Sequence, residues 1–435
     1  MSSILERETR RGRAARAGAL AAAPAGFGAW PAGLLAMNRV QLAGGAVAGL
    51  LVPALLHDWS GARPSPTLLA SAAALVLGYV AMRRMRSHPG VHAFGYVVYA
   101  FALAYAAAGI VLLLAGADVS RGPLVLSFGL STAWFVAADR LARKGASWRL
   151  GYLPGAAPAA LPRAPWVTWR RLDDPRADLG GLTGVVADLS AGVDPEWEQF
   201  LARCALQGLA VYDVRQVAER LTGKLRLEHL SENTLSSDLA HTAYARVKRL
   251  ADLAAVILAA PLALPVTALA ALAVKLESPG PALFRQVRTG HRGRPFVIWK
   301  LRTMRAEPGP GQSFTEDNDG RITRVGAVLR KYRVDELPQL WNILKGEMSW
   351  IGPRPEAAPL AQWYERETPF YCYRHMVRPG ITGWAQVNQG NVAGPAAATE
   401  KLHYDFYYIK NLSPWLDLLI AAKTVRTVLT GFGSK

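Results

Sequence analysis

The sequence predicts a membrane protein of the α plus α/β class: four transmembrane helices, a small α/β domain, and a mixed α/β domain built on a re-entrant helix. Three observations predict it. Four long apolar runs near the start contain no internal Lys, Arg, Asp or Glu. Strand-like and helix-like stretches then alternate. A fifth apolar run contains two prolines and has basic residues on both flanks.

The chain of 435 residues reads as several domains. Residues 1–38 form a basic arm, with Arg7, Arg10, Arg11, Arg13 and Arg16 ahead of an alanine-rich stretch. Pro24 breaks that stretch, so a disordered cytoplasmic arm is expected rather than a signal peptide.

Residues 39–140 hold the four apolar runs, about Val40–Leu56, Thr67–Met82, His92–Ala115 and Pro123–Ala138. Each approaches the roughly 20 residues a membrane helix needs. Arg39 precedes the first run, Arg83, Arg84 and Arg86 follow the second, and Arg140, Arg143 and Lys144 follow the fourth. The other two loops hold only Arg63 and Arg121 as basic residues. The positive-inside rule then places the N-terminus and everything after residue 140 in the cytoplasm, below the inner membrane. The lack of ionisable residues inside the runs argues against a channel or transporter.

Residues 141–235 form the small cytoplasmic domain. Gly145–Pro165 is a linker with one strand, Trp148–Leu153. Strands are expected at Val167–Arg171, Gly184–Asp188 and Leu209–Asp213, and helices at Pro195–Cys204 and Val214–Leu221. This alternation predicts a Rossmann-like, partly parallel sheet. It carries no glycine-rich phosphate loop, so a structural or oligomerising role is expected, with a homodimer possible.

Residues 236–435 begin with Leu250–Val274, an apolar run containing Pro261 and Pro265. Lys248 and Arg249 precede it, and Lys275, Arg285 and Arg288 follow it. Basic residues on both sides predict that both ends face the cytoplasm, so the helix enters the bilayer, bends and returns. Strands are expected at Ala282–Arg285 and Phe296–Lys300.

The net charge of +18 calls for an anionic partner. The basic residues sit at membrane flanks rather than along one soluble helix, which excludes a nucleic-acid binder and leaves membrane lipid and phosphate substrates. The two cysteines, Cys204 and Cys372, form no metal-binding spacing.

The chemistry concentrates in Leu329–Pro355, LRKYRVDELPQLWNILKGEMSWIGPRP. Leu337, Leu340, Trp341 and Leu344 predict a short amphipathic helix beginning near Asp335, with Pro338 in its first turn. Asp335 and Glu336 are adjacent carboxylates. Arg330, Lys331 and Arg333 precede them and Arg354 follows. Such a set supplies an anionic nucleophile, a carboxylate for a hard cation and arginines for a migrating phosphoryl group. A capped helix with surface ion pairs would read the same way.

From about Lys248 to Leu429 the chain resembles the bacterial sugar transferase family, the monotopic polyprenyl-phosphate phosphoglycosyl transferases. The segments that carry the resemblance are KRLADL, LESPGPALFRQ, KLRTM, RKYRVDELPQLWNILKGEMSWIGPRP, VRPGITGWAQVN and YDFYYIKNLSPWLDL. The four helices and small domain in front resemble the family's long form. The resemblance implies transfer of a phosphosugar from a UDP-sugar, with glucose or galactose as the guess for the sugar, to undecaprenyl phosphate. UMP is released, and exopolysaccharide, capsule or O-antigen assembly begins. It implies Asp335 as nucleophile, Glu336 as its acidic partner, and Mg²⁺ held by both. Arg330 and Arg354 match positions near phosphate. Lys300 and Arg302 fall at the active-site mouth or at lipid headgroups. Arg378, Gly380, Thr382, Gln386 and Asn388 lie in a loop suited to nucleotide or sugar. Lys248, Arg249 and Pro265 match the membrane hairpin. The chain departs from the family at Leu264, where serine is usual, and at Gln389-Gly390. The alternative is a catalytically inactive membrane scaffold or regulator of polysaccharide assembly.

The last apolar pattern, Trp415–Leu429, suits a helix on the membrane surface or one packed in a core.

Overall fold

The computed structural model describes residues 38–56, 66–86, 88, 93–117, 120–144, 148–155, 164, 166–227, 239–305, 320–390 and 395–430. The expected basic arm lies outside the described residues, apart from its last position. Two compact units emerge. One comprises the described residues up to Arg83 and between Val91 and Leu221, the other those between Arg84 and Gly90 and from Thr222 onward.

The first unit opens with α1 (Asn38–Ala46), a π turn (Val47–Leu51) and α2 (Val52–Leu56), followed by α3 (Pro66–Met85), α4 (Ala93–Leu114) and α5 (Arg121–Lys144). Among the described residues four helices are long and apolar enough to cross a membrane: Pro66–Met85, Gly95–Leu114, Arg121–Ala142 and Ala243–Glu277. The first expected span is helical but interrupted by the π turn. At that turn Gly49 is so close to α5 that a Cβ would fall 2.0 Å from Ser131 Oγ, and the Ser127 hydroxyl donates to the Gly49 carbonyl. Tyr105 bonds Ser127 at 2.8 Å and Ser131 at 3.1 Å. These buried hydroxyls satisfy one another where no water reaches.

The same unit holds a four-stranded parallel sheet, order β2-β1-β3-β4, from β1 (Trp148–Tyr152), β2 (Val167–Arg171), β3 (Gly184–Ala187) and β4 (Ala210–Asp213). Helix α6 (Pro195–Leu206) packs Phe200 and Cys204 against Val185, while α7 (Val214–Thr222) packs Val217 against Leu150 and Val186. The alternation of Val185 and Val186 feeds the two faces. Asp194 caps α6 by accepting the Glu196 N–H at 3.0 Å, with Pro195 at the first helical position.

The second unit is built around α8 (Leu239–Glu277), a 39-residue helix that retains Pro261 and Pro265 inside it. Its buried positions, Asp252, Val256, Ala263, Ala270 and Val274, fall on one stripe, whereas Leu258, Leu262, Leu264 and Leu269 are exposed. An exposed aliphatic surface of this extent suits contact with lipid or with another apolar surface. Both ends dock on the same unit. At the start, Lys248 pairs with Asp417 at 2.7 Å, Arg249 donates to the Ile343 and Leu344 carbonyls, and Val256 joins a core with Ile298 and Ile343. At the finish, Val274 packs with Leu301 and Leu329, and Glu277 accepts the Arg324 N–H at 2.8 Å.

An antiparallel hairpin follows, β5 (Leu283–Thr289) and β6 (Pro295–Leu301). Then come α9 (Arg324–Lys331), a 3₁₀ segment (Val334–Gln339), α10 (Leu340–Lys345) and β7 (Ser349–Ile351). Helix α11 (Ala358–Glu367), a second 3₁₀ segment (Tyr371–Met376), β8 (Gly380–Thr382), parallel to β7, and α12 (Trp384–Asn388) come next. Helices α13 (Pro395–Lys410) and α14 (Pro414–Thr430) close the unit. Leu416, Leu419 and Ile420 of α14 are buried, so this helix packs into the core of the unit.

Candidate active site

The expected α-helical first turn at Asp335 is instead 3₁₀, and α-helix begins only at Leu340. Arg333, immediately ahead, adopts a left-handed conformation (φ 55°), and the Glu336 N–H turns back to the Arg333 carbonyl at 3.2 Å. Pro338 lacks the N–H that an α-helical bond at its position would use. The tight turn buries both acids, leaving Asp335 8% and Glu336 5% exposed.

Four elements bring cations to them. Arg354, on the Gly352–Pro355 turn after β7, donates to Glu336 Oε1 at 2.8 Å. Lys300, on β6, reaches the same oxygen at 3.3 Å. Arg333 Nη1 lies 3.8 Å from Oε2. Arg330, on α9, donates to Thr303 Oγ1 at 2.8 Å and its charge acts on Asp335.

The two carboxyls respond oppositely. Burial opposes charge on Glu336, but Arg354, Lys300 and Arg333 outweigh it and hold this carboxyl well below the usual range. Asp335 is pushed up to about 6 by burial and then by the Glu336 charge, against the pull of Lys300, Arg354 and Arg330. Burial brings Lys300 down to about 8. Glu336 is therefore the fixed anion of the cluster, and Asp335 is its titrating neighbour.

Behind Arg354 lies a second buried layer that the sequence reading missed. Arg374 donates to the Arg354 carbonyl and to Asp405 Oδ2, both at 2.8 Å, and to the Tyr371 hydroxyl at 2.7 Å. Arg288, foreseen only as a flanking charge, donates to the Pro355 carbonyl. Glu356 pairs with Lys401 and sits 3.9 Å from Arg374. The one signal for Arg374 was a charge in the aromatic stretch YCYRHM, which folding must pair. A shallow cleft opens beside this layer, lined by Thr289, Arg354, Arg374 and His375.

Other expected site residues do not join the cluster. Arg302 is buried and commits its guanidinium to the Ser278 carbonyl at 2.7 Å, the Ser278 hydroxyl at 2.9 Å and the Pro279 carbonyl at 2.6 Å. It closes the turn after α8 rather than facing phosphate at a mouth. Arg378 donates to the Gly346 carbonyl at 3.1 Å and, with Arg249, satisfies the carbonyl end of α10. A Cβ on Gly380 would lie 2.1 Å from the Gly352 nitrogen, so this glycine permits strand contact. Thr382 bonds Thr424 at 2.7 Å, Gln386 the Ile381 carbonyl at 3.0 Å, and Asn388 both the Trp384 carbonyl and Lys423. Lys248 anchors α8 and Pro265 lies in its exposed middle.

Among the described residues no group of three or more His, Cys, Asp and Glu side chains gathers as a metal cage. Glu336 Oε2 is nevertheless a buried carboxylate oxygen without a hydrogen bond, next to Asp335. A hard cation that takes most of its ligands from a substrate diphosphate fits this donor set.

Residues 243–431 match the model of a family described as bacterial sugar transferase. The chain is 43% identical over 375 residues to the UDP-N-acetylgalactosamine-undecaprenyl-phosphate N-acetylgalactosaminephosphotransferase of Aeromonas hydrophila, covering 85% of this chain and 88% of that protein. It is 47% identical over 186 residues to the UDP-glucose:undecaprenyl-phosphate glucose-1-phosphate transferase of Caulobacter vibrioides, covering 42% of this chain and 70% of that one. The Escherichia coli K12 protein of the same description is 41% identical over 192 residues, 43% of this chain and 41% of its own length.

Proposed function

Because this chain belongs to the bacterial sugar transferase family, we propose that it transfers a sugar 1-phosphate from a UDP-sugar to undecaprenyl phosphate by way of a covalent intermediate on Asp335. The observation that carries this reading is the asymmetry of the two acids. Glu336 is bound up by Arg354 and Lys300, while Asp335 makes no side-chain hydrogen bond among the described residues and so keeps its oxygens for reaction.

In the first step an Asp335 carboxylate oxygen bonds to the β-phosphorus of the UDP-sugar, and the bond from that phosphorus to the bridging oxygen breaks. UMP leaves with the electron pair, and the sugar phosphate remains as an acyl phosphate. In the second step a phosphate oxygen of undecaprenyl phosphate attacks the same phosphorus and the Asp335 carboxylate departs. Two visits replace one encounter between bulky anions.

Six buried or half-buried cations, Arg288, Lys300, Arg333, Arg354, Arg374 and Lys401, face four carboxylates, Asp335, Glu336, Glu356 and Asp405. The surplus positive charge suits a diphosphate, and fixed charge is what stabilises a phosphoryl group in flight. Asp335 and Glu336 would hold Mg²⁺, which when bound offsets charge on the diphosphate oxygens. The exposed aliphatic stripe of α8 would bring the lipid acceptor's membrane to the site.

The test is UMP release by the purified full chain from a panel of UDP-sugars, with and without undecaprenyl phosphate and Mg²⁺. The panel includes the N-acetylgalactosamine, glucose and galactose donors, since the relatives divide between the first two. The expected result is release with one donor, and labelled sugar phosphate on the protein when lipid is withheld. Turnover without any protein-bound label would favour direct transfer.

A further inference from the structure

Every residue of the segment that presents Arg354 has its main chain held from outside. The Gly352 N–H donates to the Thr382 carbonyl at 2.9 Å, and the Pro353 carbonyl accepts the Gly380 N–H at 3.0 Å. The Arg354 carbonyl accepts from Arg374 at 2.8 Å, the Pro355 carbonyl accepts from Arg288, and the Glu356 carbonyl accepts the Thr289 N–H at 3.1 Å. Two of these five clamps are guanidinium groups aimed at consecutive carbonyls.

A carbonyl needs only a neutral donor, and a buried guanidinium must be compensated. Here the compensation is built in. Arg374, 3% exposed at its side chain, is also bonded to Asp405 and flanked by Glu356. Arg288 uses its Nε and Nη2 on Gln286 Oε1, at 3.0 and 2.7 Å, which leaves Nη1 for Pro355. Neither arginine donates to Asp335 or Glu336. What they share is the peptide backbone on either side of Arg354 Cα, while its side chain reaches Glu336. A shift of about 1 Å in that backbone would turn the 2.8 Å contact into a gap too long for a hydrogen bond.

We propose that Arg374 and Arg288 are positioning residues that fix the Arg354 guanidinium on Glu336 by gripping the carbonyls of Arg354 and Pro355. The inference rests on the proposed transferase reading for its kinetic consequence, but its geometric content is independent of the reaction.

The experiment is a double-mutant cycle in the full-length protein, using Arg374→Lys and Arg288→Lys, which keep the buried charge and lose the forked donors. Each is measured alone and with Arg354→Met, for UMP release and for unfolding temperature. Alone, each lysine variant is expected to lower kcat about 10- to 100-fold with KM changed less than about threefold. In the Arg354→Met background the same changes should alter kcat less than about threefold, because the group being positioned is gone. Additive losses in the two backgrounds would overturn the proposal, as would a KM rise at unchanged kcat, which would place these arginines on substrate. If Arg374→Lys does not fold, Arg288→Lys carries the cycle. A wild-type protein inactive on every donor would overturn the transferase reading instead. The unfolding temperatures would then decide, non-additive shifts upholding the positioning role and additive shifts refuting it.

Discussion

The Arg354 guanidinium donates to Glu336 Oε1 at 2.8 Å, linking two residues 18 positions apart. This contact divides the labour of the adjacent acids. Glu336, held through Oε1 by Arg354 and Lys300, is a fixed negative post that orients both cations. Asp335 feels those cations only at a distance, and burial and then the Glu336 charge raise its carboxyl, which under the proposed reading suits it to be the nucleophile.

Asp335→Asn is expected to abolish UMP release, because the amide has no anionic oxygen to bond phosphorus. Glu336→Gln keeps the shape but leaves Arg354 and Lys300 without their anion, and a loss of about 100-fold or more in kcat is expected. Steady-state rates with each variant check this. An Asp335→Asn protein turning over normally would refute the nucleophile assignment.

The pH dependence follows from the two carboxyls. Asp335 ionises near pH 6 rather than near its ordinary 3.8, so the rate of UMP release should fall as pH drops through about 6. The linked effect on stability has the opposite sense. With its folded value raised, this group's stabilising contribution is complete below about pH 3.8 and is lost as pH rises through about 6. Asp335→Asn, which never charges, should therefore unfold at a higher temperature than wild type at pH 8, by up to about 3 kcal/mol in stability, and this advantage should shrink on acidification. Equal unfolding temperatures at pH 8 and at pH 5 would contradict the buried, charge-crowded environment.

Periodicity and turn chemistry revealed much of the fold. The strand at Val167–Arg171 lies where the sequence placed it, and the helix expected at Pro195–Cys204 runs from Pro195 to Leu206. The 3₁₀ turn at Asp335 was not legible, because it depends on a left-handed Arg333 that carries no residue signature such as glycine. Arg302 and Arg378 were read as substrate contacts since a basic residue near a site looks the same in sequence whether it meets phosphate or a carbonyl. Only the fold shows that both meet carbonyls. Arg374 escaped notice because its partners Tyr371, Asp405 and Arg354 come together only in three dimensions.

Arg302→Met should reduce stability while leaving the KM for UDP-sugar within about twofold of wild type. It deletes three charge-assisted bonds to Ser278 and Pro279 at the end of α8, and a loss of about 2–3 kcal/mol is expected. Thermal unfolding and KM measured together separate the two roles. A raised KM in a fully stable variant would return Arg302 to the substrate.

The ends of α8 cannot lie on opposite sides of a membrane without leaving their partners. Lys248 is held by Asp417, and Glu277 by the start of α9, all within one compact unit. His88 belongs to that unit as well, with its Nδ1 3.1 Å from the Tyr407 hydroxyl. We expect α8 to enter the bilayer and return on the same side, which keeps both sets of contacts and puts the exposed apolar stretch around Pro261 and Pro265 in lipid. The prolines free the carbonyls four residues before them, those of Ile257 and Pro261, which a bend at this point must satisfy. A single cysteine placed at Lys275, in a background with Cys204 and Cys372 replaced, should therefore resist a membrane-impermeant thiol reagent applied to intact cells and react after lysis. A cysteine at His88 should behave identically. Labelling at 275 in intact cells, with 88 protected, would mean that α8 crosses the bilayer straight and that the contacts at one of its ends do not persist in the membrane.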